Sequence, residues 1–325
     1  MIEDLTQRPT GWGVPALDAP LLDDIQAAAR RIRDVAVRTP LVPFTAVPNL
    51  FLKPECLQPT GSFKLRGVYN WAESLSPEER QAGFSTFSAG NTALALGFCA
   101  QRFGVRCRSL LPDYAPAAKV AALKAAGVEC VLVPFSEMAD WLFASGWQSE
   151  PYAFLHPWTE PKLVAGHATI GLEIADALPG SATVFVPVGG GALAAGVASA
   201  LRALRPGTRI VGVEAANYPS LYASRRAGRP VWVAAEHTIC DGVAVPFASD
   251  ALFPLLARVL DDVVLVSEDE ARAAMRRLAV ESKLVAEGAG AIALAAALRL
   301  RPAGTAVAIV SGGNAEPAEL AALLS

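Results

Sequence analysis

Lys64 lies at the predicted start of a helix, directly after the turn formed by residues 60–63. The positive end of a helix disfavours an ammonium group, and Ser62 can cap this helix, so we expect the pKa of Lys64 to be lowered. A neutral lysine amine attacks carbonyl compounds, as a lysine that forms a Schiff base must do. For this segment alone, an ordinary surface lysine at a helix start fits equally well.

A turn of small residues follows a predicted strand at residues 85–88 and precedes a predicted helix at residues 92–103. The turn consists of Ser88, Ala89, Gly90, Asn91 and Thr92. Backbone N–H groups at such a turn point outward, and they suit the carboxylate of a substrate. The Asn91 amide can also bind a hydroxyl group of a cofactor. Considered alone, this segment fits a plain capped strand-to-helix turn better.

Three successive glycines, Gly189, Gly190 and Gly191, join an apolar strand to an apolar helix that opens with Ala192 and Leu193. The backbone of such a loop can surround a phosphate group. The spacing is not that of a dinucleotide-binding fingerprint, and no Gly-Lys-Ser/Thr follows as in a Walker loop. Close packing of helix on strand is the alternative, but it rarely requires three glycines in a row.

Ser311 follows the last predicted strand and opens the segment Ser-Gly-Gly-Asn at residues 311–314. The strand delivers a serine hydroxyl into a glycine turn, where it can meet a neutral ring nitrogen. A simple turn at the end of an edge strand is the alternative interpretation of this segment.

Strands and helices alternate along the chain, which indicates βαβ units with parallel sheets and helices on both faces. We predict strands at residues 85–88, 105–111, 129–133, 182–188, 209–214, 262–266 and 306–311. We predict helices at residues 22–35, 92–103, 117–126, 164–178, 192–204, 268–280 and 288–300. The chain is too long for one compact sheet of this kind, so we expect an α/β protein of two domains. Ligands of open α/β sheets bind beyond the carboxyl ends of the strands, where the glycine-rich turns lie.

The composition excludes several classes of protein. The chain has 325 residues, is 53% hydrophobic and 18% charged, and carries a net charge of −3, which argues against nucleic-acid binding. Five scattered cysteines are typical of reduced thiols in a cytosolic protein. The acidic start lacks an apolar core, so we expect no signal peptide and a cytoplasmic location. The uncharged stretch 181–201 contains Pro187 and the glycine run, which favour a strand, a turn and a helix over a membrane span.

The four segments, in this order, resemble the tryptophan synthase β-like (fold type II) enzymes that depend on pyridoxal 5'-phosphate, and within them the threonine/serine dehydratase and serine racemase branch. The resemblance runs from about Ala28 to Asn314 and includes the stretches 32–41, 156–157, 165–173, 238–245 and 286–291. It implies two domains with parallel-rich twisted sheets flanked by helices. Residues 1–52 plus 153–325 would form the larger, cofactor-binding domain. Residues 53–152 would form the smaller α/β domain, which carries the lysine and the asparagine loop.

The resemblance also assigns a role to individual residues. Lys64 matches the lysine that holds the cofactor, Phe63 the residue beside the cofactor ring, and Asn91 the partner of the ring hydroxyl. Ser311 matches the partner of the ring nitrogen, and a serine there leaves that nitrogen unprotonated. The phosphate loop corresponds to Gly189, Gly190, Gly191, Ala192 and Leu193. Gly242 and Glu287 correspond to residues that line the pocket. The Ser88–Thr92 turn would hold the carboxylate of the amino acid. A homodimer or homotetramer with a small-molecule substrate is implied.

The implied reaction is an elimination. Lys64 would remove the α-proton of a threonine- or serine-like β-hydroxy amino acid, the hydroxyl would leave, and hydrolysis would give a 2-oxo acid and ammonia. Thr92 stands where this branch usually has histidine, and Gly-Asn-Thr is closer to the cysteine-synthase branch. An ammonia-lyase is therefore favoured, while β-replacement and a pyridoxal-phosphate-binding protein without turnover stay open.

Two other positions differ from the branch. Ala89 occupies the place of the second base of racemases and has no proton to give, so racemisation through this residue is not expected. Near Glu214, where the family binds a divalent cation, no other carboxylate occurs up to Ser220, and we expect no metal site.

Overall fold

The computed structural model describes residue 10 and residues 14–178, 180–234 and 236–324. Two sheets contain all the strands of this part of the chain. The strands are β1 (Val42–Pro43), β2 (Leu50–Pro54), β3 (Phe84–Phe87), β4 (Cys107–Pro112), β5 (Glu129–Val133), β6 (Ala153–Phe154), β7 (Ala182–Pro187), β8 (Arg209–Ala215), β9 (Asp262–Val266) and β10 (Thr305–Val310). The larger sheet has the order β1-β2-β10-β7-β8-β9, and the smaller has the order β5-β4-β3-β6.

Every strand pair is parallel except β1 with β2. Helices cover both sheets: α1 (Leu22–Arg31), α2 (Lys64–Ser74), α3 (Pro77–Gln81), α4 (Asn91–Phe103), α5 (Ala117–Ala125), α6 (Phe135–Phe143), α7 (Pro161–Ala177), α8 (Ala192–Leu204), α9 (Ser220–Ala227), α10 (Phe253–Val259), α11 (Glu268–Arg277), α12 (Gly288–Leu300) and α13 (Pro317–Leu324). The predicted α/β class with two parallel-rich sheets is therefore confirmed. No described helix is both long and apolar enough to cross a membrane.

Strand β7 is buried along its whole length, as expected of a central strand that is covered by helices on both faces. Apart from Thr183, the strand consists of apolar residues, so polar and apolar positions do not alternate along it. The neighbouring helices α8 and α12 are rich in alanine, and most of their residues are buried. Small side chains let these helices approach the sheet closely, so the loop between β7 and α8 is held on a rigid base.

Glycines bring α2, α7 and α8 into close contact. A Cβ atom at Gly166 would lie 2.6 Å from the carbonyl oxygen of Arg66, and one at Gly196 would lie 2.5 Å from that of Val164. Real Cβ atoms do not approach backbone this closely, so glycine is required at both crossings. Because α2 begins at Lys64 and α8 follows the triple-glycine loop, this packing fixes the lysine relative to the loop.

Helix α1 ends earlier than predicted. Apolar spacing predicted a helix through Val35, but the regular helix ends at Arg31, and residues 32–36 form a turn. The chain is held beyond this point by Gln58, whose side chain bonds the N–H and the carbonyl oxygen of Val37 at 2.9 and 2.8 Å. A long-range contact therefore outweighs the local helical pattern.

We propose a division of the chain that follows the sheets. The smaller sheet lies between Phe84 and Phe154, and the larger sheet takes its strands from residues 42–54 and 182–310. This supports a smaller unit close to residues 53–152, with the remainder in the larger unit. Because β6 pairs with β3, we place the end of the smaller unit after Phe154.

Candidate active site

A cavity of about 1090 Å³ lies at the carboxyl ends of β3, β7 and β10, between the two sheets. Every candidate residue from the sequence lines this cavity. They are Phe63, Lys64, Ser88, Ala89, Gly90, Asn91, Thr92, Gly189, Gly190, Gly191, Ala192, Leu193, Gly242, Glu287 and Ser311. Segments up to 248 positions apart in the chain (Phe63 to Ser311) thus meet in one place, as expected for ligand sites of open α/β sheets.

Lys64 is the first residue of α2, and the turn before it is held by backbone contacts. The helix is capped by Phe63 without a side-chain hydrogen bond, so the predicted cap by Ser62 is wrong. Instead, the N–H of Phe63 donates to the carbonyl oxygen of Ser311 at 3.0 Å, and Ser62 forms a β-bridge with Gly312. The turn at residues 60–63 (the lysine turn) and the turn at residues 311–314 (the serine turn) are therefore directly bonded to each other.

Burial lowers the pKa of the Lys64 amine to about 8, while the nearby Glu287 carboxylate opposes this shift. The predicted direction of the shift is thus found, but its cause is loss of water around the amine rather than the positive end of the helix. The amine lies 5.0 Å from the centre of the Phe63 ring. At pH 7, about a tenth of this amine is uncharged and can accept a proton.

Asn91 is held by two polar neighbours. Its Nδ2 donates to Oε1 of Glu287 at 2.7 Å, and its Oδ1 accepts from Nδ2 of Asn314 at 2.7 Å. Asn314 also donates to the carbonyl oxygen of Thr60 at 2.9 Å, which ties the arrangement to the lysine turn. Asn314 was not among the residues predicted for the site. Its position at the end of the Ser-Gly-Gly-Asn segment was the available signal.

Glu287 lies at the N-cap position of α12 without a side-chain hydrogen bond to the helix, next to a tight glycine contact. Burial raises the pKa of its carboxyl group, and the Asn91 hydrogen bond opposes this shift. A Cβ atom at Gly312 would lie 2.3 Å from Oε1 of Glu287, so a larger residue here would displace the Glu287 carboxylate. Gly242 lies against the same group, since a Cβ atom there would be 3.6 Å from that oxygen.

The Ser88–Thr92 turn offers fewer outward N–H groups than expected. The N–H of Ser88 donates to Oγ of Ser109 at 3.0 Å, and that of Gly90 donates to Oγ of Ser88 at 3.2 Å. Helix α4 begins at Asn91, so the N–H groups of Asn91 and Thr92 fall in its first turn and have no acceptor within the helix. These two groups, at a helix amino end, are the ones that suit a carboxylate.

The triple-glycine loop has the shape of a phosphate cradle. A Cβ atom at Gly189 would lie 2.8 Å from the backbone of Val243. A Cβ atom at Gly190 would lie 2.7 Å from the ring of Trp158. Gly191 has a φ of +93°, which side-chain-bearing residues rarely adopt. The loop leads into α8, whose first N–H groups lack helical acceptors. A dianionic phosphate fits this backbone surface.

Ser311 provides an uncharged partner on the other side of the cavity. Its hydroxyl is buried, and its only hydrogen bond within the described residues is a long one of 3.4 Å to the carbonyl oxygen of Ala289. A hydroxyl so placed suits a neutral heterocyclic nitrogen rather than a charged one. The cavity therefore combines an amine, a phosphate cradle and a neutral polar group, which together fit pyridoxal phosphate.

The carboxylate of Glu214 accepts hydrogen bonds from the protein itself. Its oxygens accept from the N–H groups of Leu221 at 2.7 Å and Tyr222 at 2.8 Å, so it caps α9. Burial raises its pKa to about 7. Among the described residues, no three His, Cys, Asp or Glu side chains lie close enough together to hold a metal ion.

Comparisons with known proteins agree with this geometry. The sequence profile of the family described as "Pyridoxal-phosphate dependent enzyme" matches residues 32–312. An L-threonine ammonia-lyase of Thermotoga maritima is 39% identical over 303 residues, which cover 90% of this chain and 75% of the relative. The crystal structure of a threonine deaminase from T.th. has a TM-score of 0.83 at 35% identity and covers 91% of this chain and 99% of that one. The structure of maize serine racemase has a TM-score of 0.87 at 30% identity and covers 94% of this chain and 97% of that one. The chain belongs to the pyridoxal-phosphate-dependent enzymes with the tryptophan synthase β-like fold, in the threonine/serine dehydratase branch.

Proposed function

We propose that this enzyme is an ammonia-lyase that converts a threonine- or serine-like β-hydroxy amino acid to a 2-oxo acid and ammonia. The observation that carries the proposal is the Lys64 amine of lowered pKa, in one cavity with the phosphate cradle and the Ser88–Thr92 turn. The identity to a threonine ammonia-lyase and to a threonine deaminase supports the same reaction.

Each part of the site has a task in this reaction. The bound cofactor would supply an electron-withdrawing ring that acidifies the α-C–H bond of the attached amino acid. The Lys64 amine accepts that proton, because burial keeps part of it neutral. The first N–H groups of α4 hold the substrate carboxylate, and Glu287 and Asn314 keep the Asn91 amide in one orientation. The loop 189–191 would hold the phosphate, and Ser311 would offer an uncharged hydroxyl group to the ring nitrogen.

A β-replacement reaction is the second candidate, and one observation favours it. Thr92 lies buried in the first turn of α4, where the dehydratase branch usually carries histidine. A hydroxyl there leaves no imidazole to assist the departing group. A replacement enzyme would require an added nucleophile, such as sulfide or a thiol, before it released product.

The reaction can be identified by assay of the purified holoenzyme. We expect 2-oxo acid and ammonia in equal amounts from at least one of L-threonine, L-serine and larger β-hydroxy amino acids, without any added thiol. Product that forms from O-acetylserine only when sulfide is added would instead establish β-replacement. If neither reaction occurs and amino acids leave the cofactor absorbance unchanged, the chain binds the cofactor without turnover.

The lowered pKa of Lys64 predicts the pH dependence of cofactor capture by the apo-protein. Only the neutral amine reacts with the aldehyde, so the rate should rise with pH and reach half its maximum near pH 8. An unperturbed lysine, with a pKa of about 10.4, would still be almost fully protonated there. Stopped-flow absorbance between pH 6.5 and 10 measures the midpoint, and a midpoint above about 10 would contradict the assignment. Glu287→Gln removes the carboxylate that raises this pKa, and it should move the midpoint downward.

The family resemblance supports two further proposals about the protein as a whole. We propose a homodimer or homotetramer, which analytical ultracentrifugation distinguishes from a monomer. We also propose a cytoplasmic location, consistent with the five free cysteines of the structure.

A further inference from the structure

Five aromatic rings line the cavity beside the residues proposed to bind the cofactor and the substrate carboxylate. We call this set, Phe87, Phe143, Trp158, Trp232 and Phe247, the aromatic wall. Neighbouring rings are in contact: the centroid separation is 5.4 Å for Phe87 and Trp158, 6.4 Å for Trp158 and Phe247, 4.4 Å for Phe247 and Trp232, and 6.2 Å for Trp232 and Phe143. The wall is therefore one continuous surface.

The aromatic wall begins at the reacting part of the site and leads away from it. Phe87 directly precedes the Ser88–Thr92 turn, which we expect to hold the substrate carboxylate. Trp158 packs against the triple-glycine loop, since a Cβ atom at Gly190 would lie 2.7 Å from its ring. Further out, Met138 and Leu142 of α6 line the same space. A substituent on Cβ of a bound amino acid would thus face apolar surface.

Four of the five rings are only half-buried, and Phe247 alone is fully buried. The half-buried ring surfaces face a cavity, so an apolar ligand that covers them removes apolar area from water. Serine has no carbon beyond Cβ, and threonine has one methyl group, so neither can cover such a surface. An aryl group can, and it can also make edge-to-face contacts with the rings.

The charged side of the cavity argues against an acidic substrate side chain. Lys119 forms an ion pair with Asp241, and the charge of Arg272 acts on the carboxyl group of Glu319. Both cations line the cavity, and both face carboxylates of the protein. A second carboxylate on the substrate would have to compete with these partners.

We propose, as an extension of the elimination function above, that the preferred substrates are β-hydroxy amino acids with an aryl group on Cβ, such as 3-phenylserine. The chemistry balances without an oxidant. The Cα–H and Cβ–O bonds break and one water forms. Hydrolysis of the released imine consumes one water and gives phenylpyruvate and ammonia. Trp232 and Phe143 are specificity-determining residues in this proposal.

The first test compares kcat/KM for 3-phenylserine, L-threonine, L-serine and 3-hydroxyaspartate. We expect 3-phenylserine to exceed L-threonine by at least about 100-fold, since even one methylene in an apolar pocket changes selectivity by roughly 10–200-fold. Oxo acid from L-threonine or L-serine but not from 3-phenylserine would overturn the aryl proposal and leave the elimination function intact. A preference for 3-hydroxyaspartate would also overturn it. No oxo acid from any of them would overturn the elimination function itself.

Two substitutions test the role of the aromatic wall. Trp232→Ala should lower kcat/KM for 3-phenylserine by at least about tenfold and change that for L-threonine less than about threefold. Val245→Trp, which fills the cavity, should act in the same direction. Tyr222→Ala, a control on the half-exposed face of α9, should change neither. An equal loss for both substrates in Trp232→Ala and Val245→Trp would show that the rings only support the fold.

A binding measurement gives a readout that does not depend on turnover. L-Phenylalanine lacks the leaving hydroxyl, so it can occupy the site without reacting. We expect it to bind the holoenzyme at least about tenfold more tightly than L-alanine, as measured by calorimetry and by tryptophan fluorescence. The advantage should disappear in Trp232→Ala, and equal affinities in the unmodified protein would contradict the proposal even if elimination is absent.

Discussion

Lys64→Ala should reduce 2-oxo acid formation by at least about a thousandfold. The variant loses the group that accepts the α-proton, and general acid–base catalysis alone contributes roughly 10²–10⁴-fold. It also loses the only proposed covalent attachment for the cofactor. The phosphate loop is unchanged, so pyridoxal phosphate should still bind, but reversibly. The fold should persist, because alanine is a good first residue of a helix and the Lys64 amine makes no salt bridge among the described residues.

A second lysine in the cavity makes this experiment specific. Lys119 lines the same cavity and pairs with Asp241. Borohydride reduction followed by mass spectrometry should find the cofactor attached to Lys64 in the unmodified protein and in Lys119→Ala, and nowhere in Lys64→Ala. If the adduct is lost from Lys119→Ala and kept in Lys64→Ala, the assignment of the two lysines must be exchanged.

The location of the site was predictable from the sequence because its backbone parts are local. A glycine run, a small-residue turn and a strand-to-serine turn each follow a strand, and parallel strands bring their carboxyl ends to one edge. The loop 189–191 and the turn after β10 therefore had to meet at one edge of the larger sheet. The turn 88–92 follows a strand of the smaller sheet, so its position depends on how the two sheets pack. The bounds of β3, β7 and β10 differ from the predicted ones by at most one residue at each end.

The side-chain contacts that tune the site were not predictable in the same way. The Glu287 contact with Asn91 joins positions 196 residues apart, and no spacing rule indicates it. The aromatic wall combines Phe87 of β3 and Phe143 of α6 with rings from two connecting segments, the one between β6 and α7 and the one between α9 and α10. The pKa of Lys64 depends on burial, which is a property of the packed cavity rather than of the helix start. Long-range packing decides each of these features.

A buried network of charged side chains joins helix α2, which begins at Lys64, to its neighbours. Arg66, two residues after Lys64, bonds Glu55 at 2.7 Å and Glu173 at 2.7 Å, and Lys53 forms a second ion pair with Glu173. The network joins β2, α2 and α7, and its two cations balance its two carboxylates. All four side chains are at least about nine-tenths buried. Removal of one partner leaves an uncompensated charge away from water.

Burial disfavours the charged form of Glu55, but Arg66 and Lys53 outweigh it and hold the pKa of this carboxyl below its usual range. A carboxyl group with a lowered pKa stabilises the folded state above its unfolded pKa. That contribution is lost as the pH falls through the folded pKa. The stabilisation by Glu55 should therefore be complete at neutral pH, begin to fall near the unfolded pKa of about 4.3, and disappear once the pH is below the lowered folded pKa.

Glu55→Gln should lower the free energy of unfolding by about 3–5 kcal/mol at pH 7, because Arg66 cannot lose its charge when its partner is gone. Glu281→Gln removes the exposed partner of Arg277 in a similar bidentate pair, and it should cost less than about 1 kcal/mol. Chemical unfolding of the two variants at pH 7 and at pH 4 measures both differences. A cost of less than about 1 kcal/mol for Glu55→Gln at pH 7 would show that the network contributes no more than a surface pair. The cost should shrink at pH 4, because Glu55 of the unfolded chain is partly protonated there. Arg66→Met combined with Glu55→Leu should recover part of the lost stability, since well-packed apolar replacements remove both buried charges.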